Sequence, residues 1–289
     1  MIRLSVLCFL LFAVSASAQR IHVGVFGGLA AYNGELADKP FPKKVTNGAI
    51  GITASYELTD KILIRAGYTY AVLGGADRYS DKPSSITRNL AFETKLSEFS
   101  LIGEYNIYSL YEKRFTPYLL AGVALFHFNP YAYNGTTQKI FLKPLSTEGQ
   151  GIPGYADRKP YSLIQPAFPL GGGLKFAINE RFTVALEAGV RLTLTDYMDD
   201  VSKSYIDPND LLAARGQLAV DMSYRGDELT NGDPNYPTKG FQRGGDKLKD
   251  FYYFTGLHVS YRLGDAGGVF RGGANSYRKS RMGCPANIY

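Results

Sequence analysis

Eight charged residues sit inside otherwise apolar, alternating stretches of this 289-residue chain: Glu57, Arg65, Glu98, Glu104, Lys175, Glu187, Arg191 and Arg262. Four are acids and four are bases, and in each stretch they fall on the side opposite the large apolar residues. Side chains of a strand point alternately to its two faces, so such spacing gathers the charges on one face. Two chemistries fit a set of this kind. One is a conducting pore or proton path. The other is a closed plug of ion pairs that fixes strand register, because a buried charge without a partner costs several kcal/mol.

Other residue types offer less. His22, His127 and His258 lie on three different strands with no ligand spacing, whereas metal binding needs clustered His, Cys or carboxylates. His127 falls at the end of a strand, where a lipid-modifying hydrolase could place a base, but Phe128 and Asn129 follow and no nucleophile is near in sequence. Asp196, Asp199 and Asp200 form an oxygen-rich cluster without the spacing of an EF-hand, and read as a solvated loop face. The glycines at 24, 27 and 28 and at 171–173 precede no helix, so phosphate-loop readings fail. These residues predict no catalytic, cofactor or metal site.

The segments that position the charges repeat one pattern. Phe182–Thr195 places Phe182, Val184, Leu186, Ala188, Val190, Leu192 and Leu194 on one face, with Glu187 and Arg191 on the other. At roughly 3.3 Å per residue such a strand crosses a bilayer at a tilt, where about 9–11 residues are needed. Similar alternation recurs at about 21–32, 50–58, 62–72, 98–107, 166–176 and 253–263. A further strand at 115–128 is apolar on both faces, so its inside and outside stay unassigned. Gly171–Gly173 suits a sharply coiled strand or a bulge. In the connection after Thr195, Asp207 caps a helix with Pro208 at its first position, and the helical pattern continues through Ala219.

Connections alternate in length: long after strands 1, 3, 5 and 7, short after strands 2, 4 and 6. A polar loop is expected at about 74–91, and longer ones at 129–161 and 196–250. A soluble sandwich explains the alternation but not the asymmetry of the loops. Outer-membrane barrels show both, with short periplasmic turns and long extracellular loops. The expected fold is all-β: an eight-stranded antiparallel transmembrane barrel in contact with outer-membrane lipid, both termini in the periplasm. Eight strands give an interior just wide enough to be filled by side chains, which favours the plug over the pore.

Residues 1–18 read as a signal peptide: Arg3, an apolar run from Leu4 to Val14, and Ala16-Ser17-Ala18 before Gln19. Removing it takes Cys8 and Arg3, leaving 31 Lys and Arg against 26 Asp and Glu, with Cys284 the one thiol. An internal disulfide is then impossible. The mild basic excess is no argument for nucleic acid in a secreted chain. Residues 19–263 make the barrel, and 264–289 form a basic, Gly-rich tail. Phe270, Arg271, Tyr277, Arg278, Lys279, Arg281 and Cys284 mark that tail as a candidate segment for docking an acidic partner in the periplasm.

Several stretches together resemble a known family: VGVFGGLAAYNGEL at 23–36, LSEFSLIGEYNIY at 96–108, FTPYLLAGVALFHFNP at 115–130, LKPLSTEGQG at 142–151, RKPYSLIQPAFPLGGGLKF at 158–176 and LTDYMDDVSKSYID at 194–207. FYYFTGLHVSYRL followed by the Cys284-Pro285 tail is similar to the family's ending. Their order and spacing resemble the DUF6089 family, which includes the PorG-like outer-membrane component of the type IX secretion system. The resemblance implies a barrel without enzymatic activity or cofactor. Its partner would be the periplasmic ring lipoprotein of the secretion machinery, which the barrel would anchor or stabilise. The alternative is an outer-surface binding or adhesion barrel that uses the loops 129–161 and 196–250.

Overall fold

A computed structural model describes residues 20–37, 45–245 and 249–263. The tail residues Phe270 to Cys284 and the expected signal peptide lie outside the described residues. Ten strands form one sheet: β1 (Ile21–Asn33), β2 (Asn47–Glu57), β3 (Ile62–Ala76), β4 (Ala91–Asn106), β5 (Phe115–His127), β6 (Tyr131–Tyr133), β7 (Lys139–Phe141), β8 (Ile164–Ala177), β9 (Phe182–Thr193) and β10 (Phe251–Arg262). All pairs are antiparallel. Pairing runs β3-β2-β1-β10-β9-β8-β5-β4, and β4 returns to β3, so eight strands close into a barrel. Closure gives each of these eight strands two neighbours and removes the open edges that lipid cannot satisfy.

Outward residues form an apolar band. On β9 these include Phe182, Leu186 and Leu192, and on β5 they include Leu119, Val123 and Leu125. Aromatic rings border the band at both rims. Tyr56, Tyr105, Phe115, Phe176, Phe182 and Tyr261 ring the short-turn end, and Tyr68, Tyr70, Phe99, Phe168 and Phe251 ring the other. The 12 residues of β9 run roughly 40 Å along the strand, about 30 Å of height at a tilt near 40°. That matches a hydrocarbon core of about 30 Å.

Glycine lets neighbouring strands approach where the barrel is narrow. A Cβ on Gly173 would lie 2.0 Å from the Leu186 carbonyl oxygen, and one on Gly171 2.3 Å from that of Ala188. Their run is not a bulge, since register continues unbroken from Ala167↔Thr193 to Ala177↔Thr183. β5 is also resolved: Thr116, Tyr118, Leu120, Ala124 and Phe126 point inward. Its inner face packs against Ile102 and Ala185 through Tyr118 and Leu120.

At the long-loop end the chain departs from simple loops. β3 and β4 run on to Ala76 and from Ala91, so the polar stretch at 74–91 shortens to a cap of one 3-10 turn and helix α1 (Pro83–Arg88). The 129–161 connection contains the β6–β7 hairpin, which extends the sheet beyond the barrel from β4. In the 196–250 connection, Asp207 accepts from the Asn209 backbone N–H at 2.9 Å and caps α2 (Pro208–Arg215). The expected single helix breaks at Gly216, whose φ of +82° is left-handed, and α3 (Gln217–Ser223) follows. Glycine adopts that φ without a Cβ clash, which is why the apolar periodicity crosses a break it does not reveal.

Leu186 sits near mid-height of the band and faces outward. Leu186→Arg is expected to destabilise the barrel by about 2–4 kcal/mol, the cost of a cation at the bilayer midplane. Urea unfolding of vesicle-inserted protein measures it, and a loss below about 1 kcal/mol would contradict a lipid-facing Leu186.

Candidate functional site

All eight interior charges enter the lumen, in three tiers. Nearest the short turns, Glu57 receives His22 Nε2 at 2.9 Å, Arg262 Nη2 at 2.5 Å and Tyr111 OH at 2.6 Å. In the middle tier Arg65 forks onto Glu187 at 2.8 and 3.0 Å and also meets Glu104 Oε1 at 2.9 Å. Lys175 closes on the other oxygen of Glu104, and Tyr118 OH donates to Glu187 at 2.7 Å. His258 Nε2 and Thr53 Oγ1 lie 2.7 Å apart. In the upper tier Tyr252 OH donates to Glu98 at 2.7 Å, Arg191 Nε stands 3.5 Å from the same oxygen, and its guanidinium lies 4.3 Å from the Phe254 ring centre.

The partners come from facing strands. β3 and β9 lie opposite each other in the ring of eight, so Arg65–Glu187 spans the lumen. Glu98 on β4 and Tyr252 on β10 do the same one tier up. Phe26, Phe126 and Phe254 pack beside this tier, and Leu73, Leu96 and Phe128 continue the same apolar cluster toward the barrel mouth.

A folded cap lies over that layer, and its core is ionic. The stretches 144–151 and 195–202, far apart in sequence, pack together there. Glu148 accepts the backbone N–H groups of Ser202 at 3.0 Å and Lys203 at 2.9 Å, and pairs with Arg243 at 3.0 Å. Arg243 also donates to the carbonyls of Asp200 at 2.6 Å and Ser223 at 3.1 Å. Asp200 accepts from Thr147 Oγ1 at 2.5 Å and Tyr161 OH at 2.7 Å. Tyr161 stacks between Phe128 and Tyr197, at ring separations of 6.2 and 5.0 Å. A second pair, Arg88 with Asp77 at 2.6–2.7 Å, ties α1 to the end of β3, and Arg88 also reaches the Arg243 carbonyl.

Between cap and barrel mouth lies a group of carboxylates. Tyr32 OH is 2.8 Å from both Asp199 and Asp250. Glu35 accepts the Gly245 N–H at 3.3 Å, and Asp196 accepts from Ser202 Oγ at 2.7 Å. Glu35, Asp196 and Asp250 bring carboxylate oxygens within 4.8 Å of one another, and among the described residues they are the group that could hold a metal ion.

This corrects the expectation of a solvated face at Asp196, Asp199 and Asp200, which are 3%, 1% and 0% exposed. The physical reason is the fold of the 129–161 and 196–250 connections over the mouth. That fold buries the aspartates and supplies Tyr, Thr, Ser and backbone donors in place of water. The group could not be found by spacing, because Glu35 lies in the connection after β1 while Asp196 and Asp250 stand at opposite ends of the 196–250 connection. His127 lies on the outer face of β5, directly across from Ser97 of β4.

Burial first, then the neighbouring carboxylates, push Glu35 and Asp250 well above the usual carboxylate range. Burial does the same to Asp199 against the opposing pull of the Tyr32 hydroxyl, and raises Asp200 to about 6. A carboxyl whose folded value is raised stabilises the cap fully below its unfolded value, and that stability is lost as pH rises through the folded one. The window opens near the unfolded 3.8 for the aspartates and 4.5 for Glu35, closes at about 6 for Asp200 and extends higher for the other three.

Cap amides at 196–205 are therefore expected to show higher hydrogen-exchange protection at pH 5 than at pH 8, after correction for intrinsic rates. Asp199→Asn is expected to flatten that slope, and an unchanged slope in the variant would refute it.

In the lumen, Arg65→Ala strands Glu187 and Glu104 without a cation they share. The expected cost is about 3–5 kcal/mol, whereas replacing Arg65 and Glu187 together with leucines restores much of it. Denaturant midpoints of the single and double variants decide between an ion pair that holds the barrel and one that is incidental.

No curated protein matches the chain. Among solved structures it is similar to Neisserial surface protein A, at 10% identity and a TM-score of 0.43 over 84% of this chain and 97% of that one. It is also similar to OprG from Pseudomonas aeruginosa, at 11% identity and 0.37 over 85% and 98%. A third is the outer membrane enzyme PagL, at 11% and 0.31 over 84% and 99%. A family described as a domain of unknown function, DUF6089, matches residues 2–218, three quarters of the length and both cap stretches included. The chain belongs to the DUF6089 family.

Proposed function

We propose that this protein is a non-enzymatic, non-conducting outer-membrane barrel that anchors or stabilises the periplasmic ring of the type IX secretion machinery. The observation that carries the first half is the middle tier, where Arg65 and Glu187 join opposite walls of the lumen and both are about 4% exposed. A passage blocked by ion pairs moves no solute, so the work falls to the two ends. Membership of the DUF6089 family, and the resemblance to its PorG-like component, support the ring as partner.

In this reading the short turns face the periplasm. With Arg20 just before β1, they expose Lys61, Lys113, Arg114 and Arg181 against Asp60, Glu112 and Glu180, a basic excess suited to an acidic partner surface. The tail from Phe270 to Cys284 would add to it.

A second reading, outer-surface binding, draws on the cap, where Phe241 is 61%, Leu212 44% and Leu218 40% exposed. Affinity purification from native membranes separates the two. Full-length protein is expected to recover the ring lipoprotein, and truncation after Leu263 to lose it. Recovery by both forms would move the contact to the short turns. Failure of both, with secretion intact after deletion, would overturn the anchor and leave the cap.

A further inference from the structure

The β6–β7 hairpin carries a face that neither the lumen nor the cap core uses. Residues paired across strands point to the same side, so Tyr131 shares the outward face of Glu93 on β4, and Tyr133, Lys139 and Phe141 follow. Tyr133 and Phe141 are exposed. Lys139 Nζ sits 3.5 Å from the Tyr131 ring centre and 4.9 Å from that of Phe141. Tyr131 meets both Tyr133 and Phe141 edge-to-face, with ring centres 5.8 and 6.0 Å apart, and donates from its hydroxyl to Glu93 at 2.9 Å. The result is an ammonium held against aromatic faces and directed sideways from the barrel.

This face continues the lipid-facing band. Reading up β4, the outward residues are Leu101, Phe99, Ser97, Lys95 and Glu93, and Ser97 stands beside Tyr70 and the exposed His127. Glu93 is four residues beyond Ser97, about 13 Å along the strand or about 10 Å in height at a tilt near 40°. A phospholipid headgroup zone is only about 5–7 Å deep per leaflet, half the excess of total thickness over the hydrocarbon core. The hairpin thus stands above phospholipid headgroups, level with sugars carried on a taller lipid. Aromatic faces suit sugar rings, and Lys95 and Lys139 suit phosphate.

We propose that the outward face of the β6–β7 hairpin, with Lys139 held between Tyr131 and Phe141, is a seat for the phosphorylated sugar headgroup of an outer-leaflet glycolipid. It rests on the outer-membrane reading and is independent of the ring. The ammonium pairs with a phosphate, and Tyr133 and Phe141 lie along the sugar. The contact would fix the rotation of the barrel in the leaflet and support the cap from one side.

Full-length protein reconstituted into phosphatidylcholine vesicles, with rough lipopolysaccharide, lipid A or phosphatidylglycerol at one equal fraction, tests this. Lipid retained after mild detergent extraction is quantified by mass spectrometry. Rough lipopolysaccharide is expected to be enriched over phosphatidylglycerol, and Lys139→Gln and Phe141→Ala each to cut that enrichment about fivefold, as loss of one charge-assisted or stacking contact would. Heat-modifiable gel mobility confirms that each variant is folded. Equal retention by wild type and both variants overturns the proposal, as does equal retention of phosphatidylglycerol. A change in oligomeric state on Phe141→Ala with lipid retention unchanged assigns the face to a second copy and overturns it too. Protein that does not float with the vesicles overturns the membrane reading and this proposal with it.

Discussion

The eight strands of the barrel cross a medium that offers their backbone no hydrogen bonds. That single constraint sets the rest. Each N–H and C=O must find a partner on a neighbouring strand, so the sheet has to close, here by β3 meeting β4. Eight strands close into a ring too narrow to hold bulk water, so whatever points inward must be packed and paired. Arg65, Glu104, Lys175 and Glu187 answer that demand together: the two carboxylates receive two cations and a tyrosine hydroxyl within one tier. Because those partners sit on β3, β4, β5, β8 and β9, slipping any of these strands by one residue would turn its charge, or on β5 the Tyr118 hydroxyl, from the lumen to the lipid. The tier therefore fixes register.

The cap solves a different problem with similar parts. It has no ladder to satisfy its backbone, so side chains take that role. Glu148 accepts two backbone N–H groups, and Arg243 donates to two carbonyls. Asp200 adopts a φ of +65°, unfavourable for a non-glycine residue, and Thr147, Tyr161 and Arg243 hold it there. Gly149, at φ +84°, leaves room for Ile206, whose methyl would stand 2.9 Å from a Cβ. Such positions tolerate few other residues. This is the physical sense in which the stretches 144–151 and 195–202 are distinctive: they are two halves of one interlock rather than two sites.

Strand faces were legible because alternation is a local property. Glu187 and Arg191 stand two turns of the pleat apart on β9, and their inward direction follows from Leu186 and Leu192 facing lipid. The eight interior charges could be gathered for the same reason, although nothing local could say that Arg65 would choose Glu187 from the far wall. The long connections were opaque. Apart from the helix after Asp207, the connections 129–161 and 196–250 have no period to read. The β6–β7 hairpin is too short to show alternation, the break at Gly216 is one glycine φ, and the burial of Asp199 depends on Tyr32, 167 residues away in sequence. Composition misled at Asp196, Asp199 and Asp200, since clustered aspartates read as solvated until donors such as the hydroxyls of Tyr32 and Tyr161 are placed against them.

Interior and cap differ in what a change of sequence would do to function. A buried ion pair can be exchanged for apolar residues of similar volume with little loss, so the lumen constrains stability and register more than identity. The cap cannot be exchanged so freely. Its carboxylates, tyrosines and arginines each satisfy several groups at once, and Tyr32 alone joins β1 to aspartates at both ends of the 196–250 connection. A barrel that only had to cross the membrane could have used short loops at both ends. Building an ionic, largely dehydrated cap over the mouth costs conformational entropy and desolvation that the strands do not need. The fold therefore spends its most demanding chemistry at the long-loop end. That end is an ionic platform set against the β6–β7 hairpin, while among the described residues the opposite end carries short, charged turns.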